Sequence, residues 1–155
     1  MNTAWTRERL ERVVREVVSE HAGSGSPRGA AGVRTRDLSG VTAIDVPRLV
    51  TAPFPFPLDV PPGSVRLVDG LTLDESPRLG CGVMELDRAA FDWTLRYDEI
   101  DYIIDGTLEL IIDGRTVRAS AGQALFIPAN TALRFSAPGT VRFFYVVYPA
   151  NWSEQ

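Results

Sequence analysis

Residues 93–119 read WTLRYDEIDYIIDGTLELIIDGRTVRA and carry the strongest fold signal in the chain. The second half places Leu108, Leu110 and Ile112 at alternate positions before Asp113-Gly114, a pair that is typical of a tight β-hairpin turn. A period of two puts such residues on one face of a strand. The stretch therefore predicts antiparallel β-structure with one buried face.

The same rhythm continues through the C-terminal three quarters of the chain. From Val41 onward, short β-branched and aromatic runs alternate with Gly, Pro and Asp, which predicts a β-sandwich or β-barrel. The run VRFFYVVYPA at 141–150 predicts a strand that is too apolar to have one face exposed to solvent along its whole length. The run TAPFPFPLDVPPG at 51–63 cannot form central strands, because proline lacks the amide donor, so we expect it to wrap the barrel or an oligomer interface.

The first forty residues follow a different pattern. Thr6 to His21 predicts an amphipathic helix whose apolar residues recur at three- and four-residue spacing on one stripe: Leu10, Val13, Val14, Val17 and Val18. The Gly-, Ser-, Ala- and Arg-rich stretch that follows has no hydrophobic periodicity and predicts a flexible linker. We therefore expect a helix in 1–22, a linker in 23–40 and the β-domain in 41–155.

Composition narrows the classes of function. With 155 residues and 45% apolar content, the chain is long enough for one domain with a real core. A net charge of -4 disfavours a nucleic-acid partner, and no apolar run is long enough to span a membrane or build a signal peptide, so we expect a cytoplasmic protein. All 16 basic residues are arginine, which excludes lysine Schiff bases and P-loops. One cysteine, Cys81, and one histidine, His21, exclude a Cys/His zinc set.

A candidate site follows from the strand alternation. If no bulge intervenes, one face carries Trp93, Leu95, Tyr97, Glu99 and Asp101. Two carboxylates and a phenol inside a barrel must be solvated, hydrogen-bonded or shifted in pKa, which makes them candidates for proton transfer or for binding a hard cation. Glu85, on the preceding strand, could join them. A satisfied polar network, with Arg96 and Arg134 as partners, is an equally open interpretation.

Two segments, WTLRYDEIDYIIDG at 93–106 and GQALFIPANTALRF at 122–135, resemble the two sequence motifs of cupins. The resemblance implies a jelly-roll β-barrel. The residues that match the motifs are Glu99, Gly106, Gly122 and Pro128. The three histidines of the motifs are replaced by Trp93, Leu95 and Leu133, whose side chains cannot act as imidazole ligands. We therefore expect no ordinary cupin metal centre.

A closer resemblance covers residues 41–152. Four segments are similar to the cupin domain of the EutQ family of ethanolamine-utilisation proteins. They are PFPLDVPPGSVRLVDG, WTLRYDEIDYIIDG, FIPAN and FFYVVYPANW. That resemblance implies a place in a bacterial microcompartment and, by family assignment, ATP-dependent acetate kinase activity. The N-terminal helix and linker resemble an encapsulation peptide, which would bind shell or enzyme-core proteins; packing of the stripe on its own barrel or self-association is the alternative.

Three functions remain open from the sequence. The first is an accessory cupin, expected to act as a homodimer by analogy with other cupins and delivered to a microcompartment by its helix. The second is an acetate kinase that needs magnesium and ATP, with Glu85, Glu99 and Asp101 holding the metal. The third is an isomerase or lyase of a small metabolite that uses Tyr97 and Glu99 as acid and base.

Overall fold

The computed structural model describes residues 32–154, and in that range the protein is built almost entirely of β-strands. The predicted helix at Thr6 to His21, with its apolar stripe, lies outside the described residues. Two short 3₁₀ helices, Val46–Arg48 and Trp152–Glu154, accompany eleven strands. The strands are β1 Arg34–Arg36, β2 Thr42–Ile44, β3 Ala52–Pro53, β4 Val65–Asp69, β5 Gly80–Asp87, β6 Ala90–Leu95, β7 Asp98–Ile112, β8 Arg115–Ser120, β9 Ala124–Ile127, β10 Thr131–Ser136 and β11 Thr140–Tyr148.

Nine of these strands form one curled antiparallel sheet in the order β3-β4-β5-β11-β7-β10-β6, with β8 and β9 also paired to β7. The long strand β7 joins the two halves of the curl. Its first half pairs with β11 and β9, and its second half pairs with β8 and β10. The expectation of a mainly β, cupin-like curled sheet is therefore confirmed. No helix among residues 32–154 is long and apolar enough to cross a membrane.

The bend in β7 has a local cause. Opposite the step from Arg142 to Phe143 on β11, the register shifts, so that one residue of β7 is left without a direct partner. Gly106 follows with a φ of 79°, and a Cβ built there would lie 2.1 Å from the carbonyl oxygen of Thr140. Only glycine fits this position without distortion, because both the positive φ and the close backbone approach exclude a side chain.

The predicted hairpin is confirmed. Strands β7 and β8 pair from Thr107 to Ser120 around Asp113 and Gly114, whose φ angles of 50° and 76° are those of a type I′ turn. The apolar run at 141–150 forms β11, in the middle of the sheet, with buried and half-buried residues alternating. The proline-dense run contributes only β3, two residues at the edge of the sheet, as the missing amide donors require.

The part of the predicted linker that the structure describes, residues 32–40, contains a strand. Residues 34–36 form β1, which pairs with β2 across a turn closed by Asp37 and Gly40. Glu75 holds this hairpin through ion pairs with Arg34 and Arg36. The stretch lacks hydrophobic periodicity because its strand is exposed on both faces, so alternation could not reveal it. The folded unit accordingly begins at Val33.

Candidate functional site: an acid pair in an aromatic cavity

The candidate site lies on the inner face of the curled sheet. Tyr97, Glu99 and Asp101 are all buried, while the residues between them are exposed, so the alternation predicted for this stretch is confirmed. No bulge interrupts the pairing of β7 with β9 and β11 at these positions: Glu99 stands between Val147 and Ile127, and Asp101 stands next to Tyr145. The acids are therefore fixed by the backbone ladder of three strands.

Glu99 contributes a carboxylate to a small interior cavity of about 30 Å³. This is room for about two water molecules, so only a ligand of a few non-hydrogen atoms fits without rearrangement. Most of the walls are aromatic. The residues that line the cavity are Phe54, Leu67, Met84, Phe91, Trp93, Tyr97, Glu99, Phe135, Tyr145, Val147 and Trp152.

Asp101 is the most deeply buried ionisable group of the described chain, with no exposed surface. Neither of its oxygens has a hydrogen-bond partner among residues 32–154 while both acids are ionised; with a proton on one of them, the carboxyl groups of Asp101 and Glu99 can hydrogen-bond to each other. Two ionised carboxylates this close would repel each other in a medium that solvates neither. A proton between the two groups removes that repulsion, so the pair shares at least one proton near neutral pH.

Burial sets the protonation of the pair. Burial raises the pKa of Glu99 to about 7, and the hydrogen bond from Asp101 works in the opposite direction. Burial raises the pKa of Asp101 well above its usual range, and the neighbouring Glu99 charge raises it further. Asp101 therefore keeps its proton, while Glu99 gains or loses one within the physiological range. A carboxyl group with that property can donate a proton, accept one or change the charge of the cavity.

Trp93 and Tyr97 add polar groups to the otherwise apolar walls. The indole Nε1–H of Trp93 donates to Tyr97 Oη over 3.1 Å, which fixes both rings and leaves the phenolic proton of Tyr97 available to a ligand. Burial and the nearby acids raise the pKa of Tyr97, so the phenol stays protonated. Trp93 occupies one of the expected cupin histidine positions, and the other two residues there, Leu95 and Leu133, are buried in the core.

Tyr145 extends the site sideways to β4. Its hydroxyl donates to Asp69 Oδ1 over 2.5 Å, across the intervening strand β5. Gly82 makes this reach possible, because a Cβ there would lie 2.4 Å from the Tyr145 hydroxyl and 2.2 Å from the carbonyl oxygen of Val68. Burial, Asp69 and Glu99 all raise the pKa of Tyr145, so this phenol also remains neutral.

Glu85, which the sequence offered as a fourth member, does not join the cluster. It follows Met84, a cavity residue, so strand alternation turns it to the outer face of the sheet. There it forms an ion pair with Arg142 and accepts a hydrogen bond from Thr51 over 2.5 Å. The direction of this one side chain depended on register, which the sequence does not specify.

The arginines considered as partners of the acids also point elsewhere. Arg134 pairs with Asp92, 3.2 Å away on the neighbouring strand, and Arg96 is exposed in the turn before β7. Among the described residues no ion pair includes Glu99 or Asp101, and no group of three potential ligands could hold a metal. A divalent cation at this pair would have to displace the shared proton and find further oxygen ligands.

Sequence reasoning missed part of the cavity. The sequence patterns assign none of Tyr145, Phe54 and Trp152 to the candidate site. The alternation of β11 could have placed Tyr145 on the same face as Val147. Phe54 enters from the irregular stretch after β3 and Trp152 from the C-terminal 3₁₀ helix, and their ring centres lie 6.3 Å apart. No local pattern predicts such a contact.

A curled antiparallel sheet with a cavity on its inner face is an architecture that cupins share with other jelly rolls and barrels. The fold is similar to that of the Schizosaccharomyces pombe Cnp3 cupin domain, with a TM-score of 0.53, 14% identity, and coverage of 72% of this chain and 77% of that chain. This likeness concerns the fold alone. The family model for ethanolamine utilisation protein EutQ matches residues 5–154, so the chain belongs to the EutQ family.

Individual relatives agree with that assignment. A Clostridioides difficile (strain 630) protein named "Acetate kinase EutQ" is 48% identical over 147 residues, which is 94% of this chain and 93% of the relative. The solved structure of the Clostridium difficile EutQ protein has a TM-score of 0.71 and 46% identity, and covers 79% of this chain and 90% of that chain. The family resemblance inferred from residues 41–152 is thus confirmed.

Proposed function

We propose that this EutQ-family protein is an ATP-dependent acetate kinase whose interior cavity binds acetate. The name of the Clostridioides difficile relative, which matches along nearly the whole of both chains, supports the reaction. The observation that carries the choice of site is Glu99, a buried carboxyl in a small aromatic cavity with a pKa raised to about 7. In its protonated form this group is a hydrogen-bond donor that suits a second carboxylate.

The cavity matches acetate in size and chemistry. The protonated Glu99 and the phenol of Tyr97 can each donate a hydrogen bond to the acetate carboxylate, and the apolar walls suit its methyl group. Charge limits the pH range of this binding. Ionised Glu99 would repel acetate, so binding is expected to weaken as the pH rises through about 7.

The nucleotide must remain outside the cavity, because about 30 Å³ cannot hold a nucleoside triphosphate. In the proposed reaction an acetate carboxylate oxygen attacks the γ-phosphorus of ATP. The bond from that phosphorus to the β,γ-bridging oxygen breaks, ADP leaves with the electron pair, and acetyl phosphate forms. Magnesium would arrive as part of the nucleotide substrate.

A coupled assay for acetyl phosphate tests the proposal on the full-length protein. Glu99→Met removes the donor and should raise the KM for acetate about tenfold or more, whereas Glu99→Gln keeps an N–H donor and should make that KM nearly independent of pH between 6 and 8. Glu109→Gln, at an outer-surface ion pair, is the matched control. Activity that is identical in wild type and Glu99→Met would identify a contaminating kinase and overturn the proposal.

The N-terminal region carries a second proposal, that residues 1–22 direct the protein to a bacterial microcompartment. Its support is the sequence pattern alone: an apolar stripe from Leu10 to Val18 on a predicted helix, followed by a Gly- and Ser-rich stretch. Fusing residues 1–22 to a fluorescent protein should bring it to shell assemblies, and Val14→Asp with Val17→Asp in the fusion should abolish this. Uniform fluorescence of the unmodified fusion would contradict the idea. Homodimer formation also stays a prediction.

A further inference from the structure

The described residues that line the cavity include a negatively charged group but no positively charged one. Seven of its eleven lining residues are aromatic, Glu99 supplies the one ionisable carboxyl group in the lining, and no arginine of the described chain lines it. The faces of aromatic rings are negative, so a cation that meets a ring face is attracted to it as it is to a carboxylate. When Glu99 is ionised, its carboxylate and the ring faces that meet the cavity both favour a positive charge.

Glu99 is also poorly satisfied by the protein itself. It is 7% exposed, and the only group among residues 32–154 that hydrogen-bonds to it is the carboxyl of Asp101. A buried carboxylate with most of its lone pairs unused carries a large desolvation cost, which a ligand with N–H donors can offset. The side chain lines the cavity, so such a ligand can reach it directly.

The rings stand close enough to act on one bound cation. The centres of the Phe54 and Trp93 rings are 5.7 Å apart, and those of Tyr97 and Trp152 are 6.2 Å apart, all four in the lining of the same cavity. A cation inside therefore lies within about 6 Å of several ring centres, the range in which cation–π attraction operates. The Tyr97 oxygen, which accepts from Trp93, can accept a second hydrogen bond from the ligand.

We propose that this cavity binds a small primary ammonium ion, with its N–H groups on the Glu99 carboxylate and its charge against the surrounding aromatic faces. The ligand class is an alkylammonium of about three or four non-hydrogen atoms, as the size of the cavity dictates. Acetate and the alkylammonium ion would thus occupy the same cavity, acetate when Glu99 is protonated and the alkylammonium ion when Glu99 is ionised. The inference does not depend on phosphoryl transfer, because it requires only the cavity.

The direction of the pH dependence follows from the groups around Glu99. Asp101 on the same strand keeps its proton, and Tyr97 and Tyr145 stay neutral, so Glu99 is the group that changes charge. Asp69 lies beyond Tyr145 and is already hydrogen-bonded to it. With a Glu99 pKa of about 7, the ionised fraction rises about tenfold between pH 6 and pH 8, and ammonium affinity should rise by the same factor.

Three ligands of similar size and different charge test the proposal: ethylammonium, ethanol and acetate. Each is titrated into the full-length, ¹⁵N-labelled protein at pH 6 and pH 8 and at constant ionic strength, with the indole N–H signals of Trp93 and Trp152 as reporters. Ethylammonium should shift both signals saturably, with an affinity about tenfold higher at pH 8 than at pH 6. Ethanol should produce no saturable shift.

Variants distinguish the effect of the Glu99 charge on binding from the effect of the cavity's shape. Glu99→Gln keeps the size of the side chain but cannot ionise, so it should weaken ethylammonium binding at pH 8 about tenfold or more. Glu109→Gln should leave the affinity unchanged. The proposal is overturned if ethanol binds as well as ethylammonium, if Glu99→Gln binds ethylammonium as wild type does, or if affinity falls as the pH rises. Loss of acetate kinase activity alone would bear only on the reaction proposed above.

Discussion

At the scale of single residues, Glu99 and Asp101 hold protons that the unfolded chain would release. Their folded pKa values lie above the ordinary values of 4.5 and 3.8, so the pair contributes its full stability below those values. As the pH rises, the unfolded state loses protons that the folded state retains, and the free energy of unfolding falls. For Glu99 this loss runs from about pH 4.5 to about pH 7; for Asp101 it continues to higher pH.

Asp101→Asn should flatten that dependence. The amide has nearly the same shape and no proton to lose, so the variant should be more stable than wild type at pH 8, with a smaller difference at pH 5. Urea denaturation at both pH values measures this. Asp105→Asn, an exposed acid of the same strand, is the control. Parallel pH curves for wild type and Asp101→Asn would contradict the assignment.

At the scale of elements, the bend of β7 at Gly106 joins the two halves of the curl. Gly106→Ala adds a Cβ 2.1 Å from the Thr140 carbonyl oxygen at a φ of 79°, and should lower the free energy of unfolding by about 3 kcal/mol or more. Gly122→Ala is a matched control, because its φ is 85° but nothing lies within 4 Å of the added atom. It should cost about 1 kcal/mol. Equal losses in urea denaturation would show that the contact with Thr140 is unimportant.

The elements that could be predicted from the sequence are those with a local cause. The hairpin at Asp113 and the inward face from Tyr97 to Asp101 follow from turn chemistry and alternation, and both are confirmed. The outward direction of Glu85 depends on the register between β5 and its neighbours, which one sequence leaves open. The bond from Tyr145 to Asp69 joins residues 76 apart in sequence and depends on Gly82, so no local pattern predicts it.

At the scale of the whole molecule, Arg142 fastens the segment before β3 to the outer face of the sheet. Its guanidinium pairs with Glu85 and donates to the carbonyl oxygens of Val46 and Leu49, at 3.2 and 2.8 Å. Thr51 lies in the same network, through hydrogen bonds with Glu85 and Arg66. These contacts fix the start of the proline-dense run, from which Phe54 reaches the cavity.

Arg142→Met should therefore loosen this segment as well as lower stability. Two hydrogen bonds to buried backbone and one ion pair are lost, which predicts a decrease of about 2 kcal/mol and faster proteolysis between residues 33 and 50. Arg118→Met removes the exposed pair with Glu109 and should cost less than about 1 kcal/mol with no change in proteolysis. Equal cleavage rates in the two variants would show that Arg142 does not hold the segment.

The whole account depends on Glu99 changing charge near neutral pH inside an aromatic cavity. The most direct measurement is a ¹³C NMR titration of the side-chain carboxyl groups in the full-length protein. We expect one carboxyl signal to titrate at about pH 7 and to be absent in Glu99→Gln. If the Glu99 signal instead titrates near its ordinary value of 4.5, the cavity carries a negative charge at every physiological pH, and the proposed acetate site is excluded.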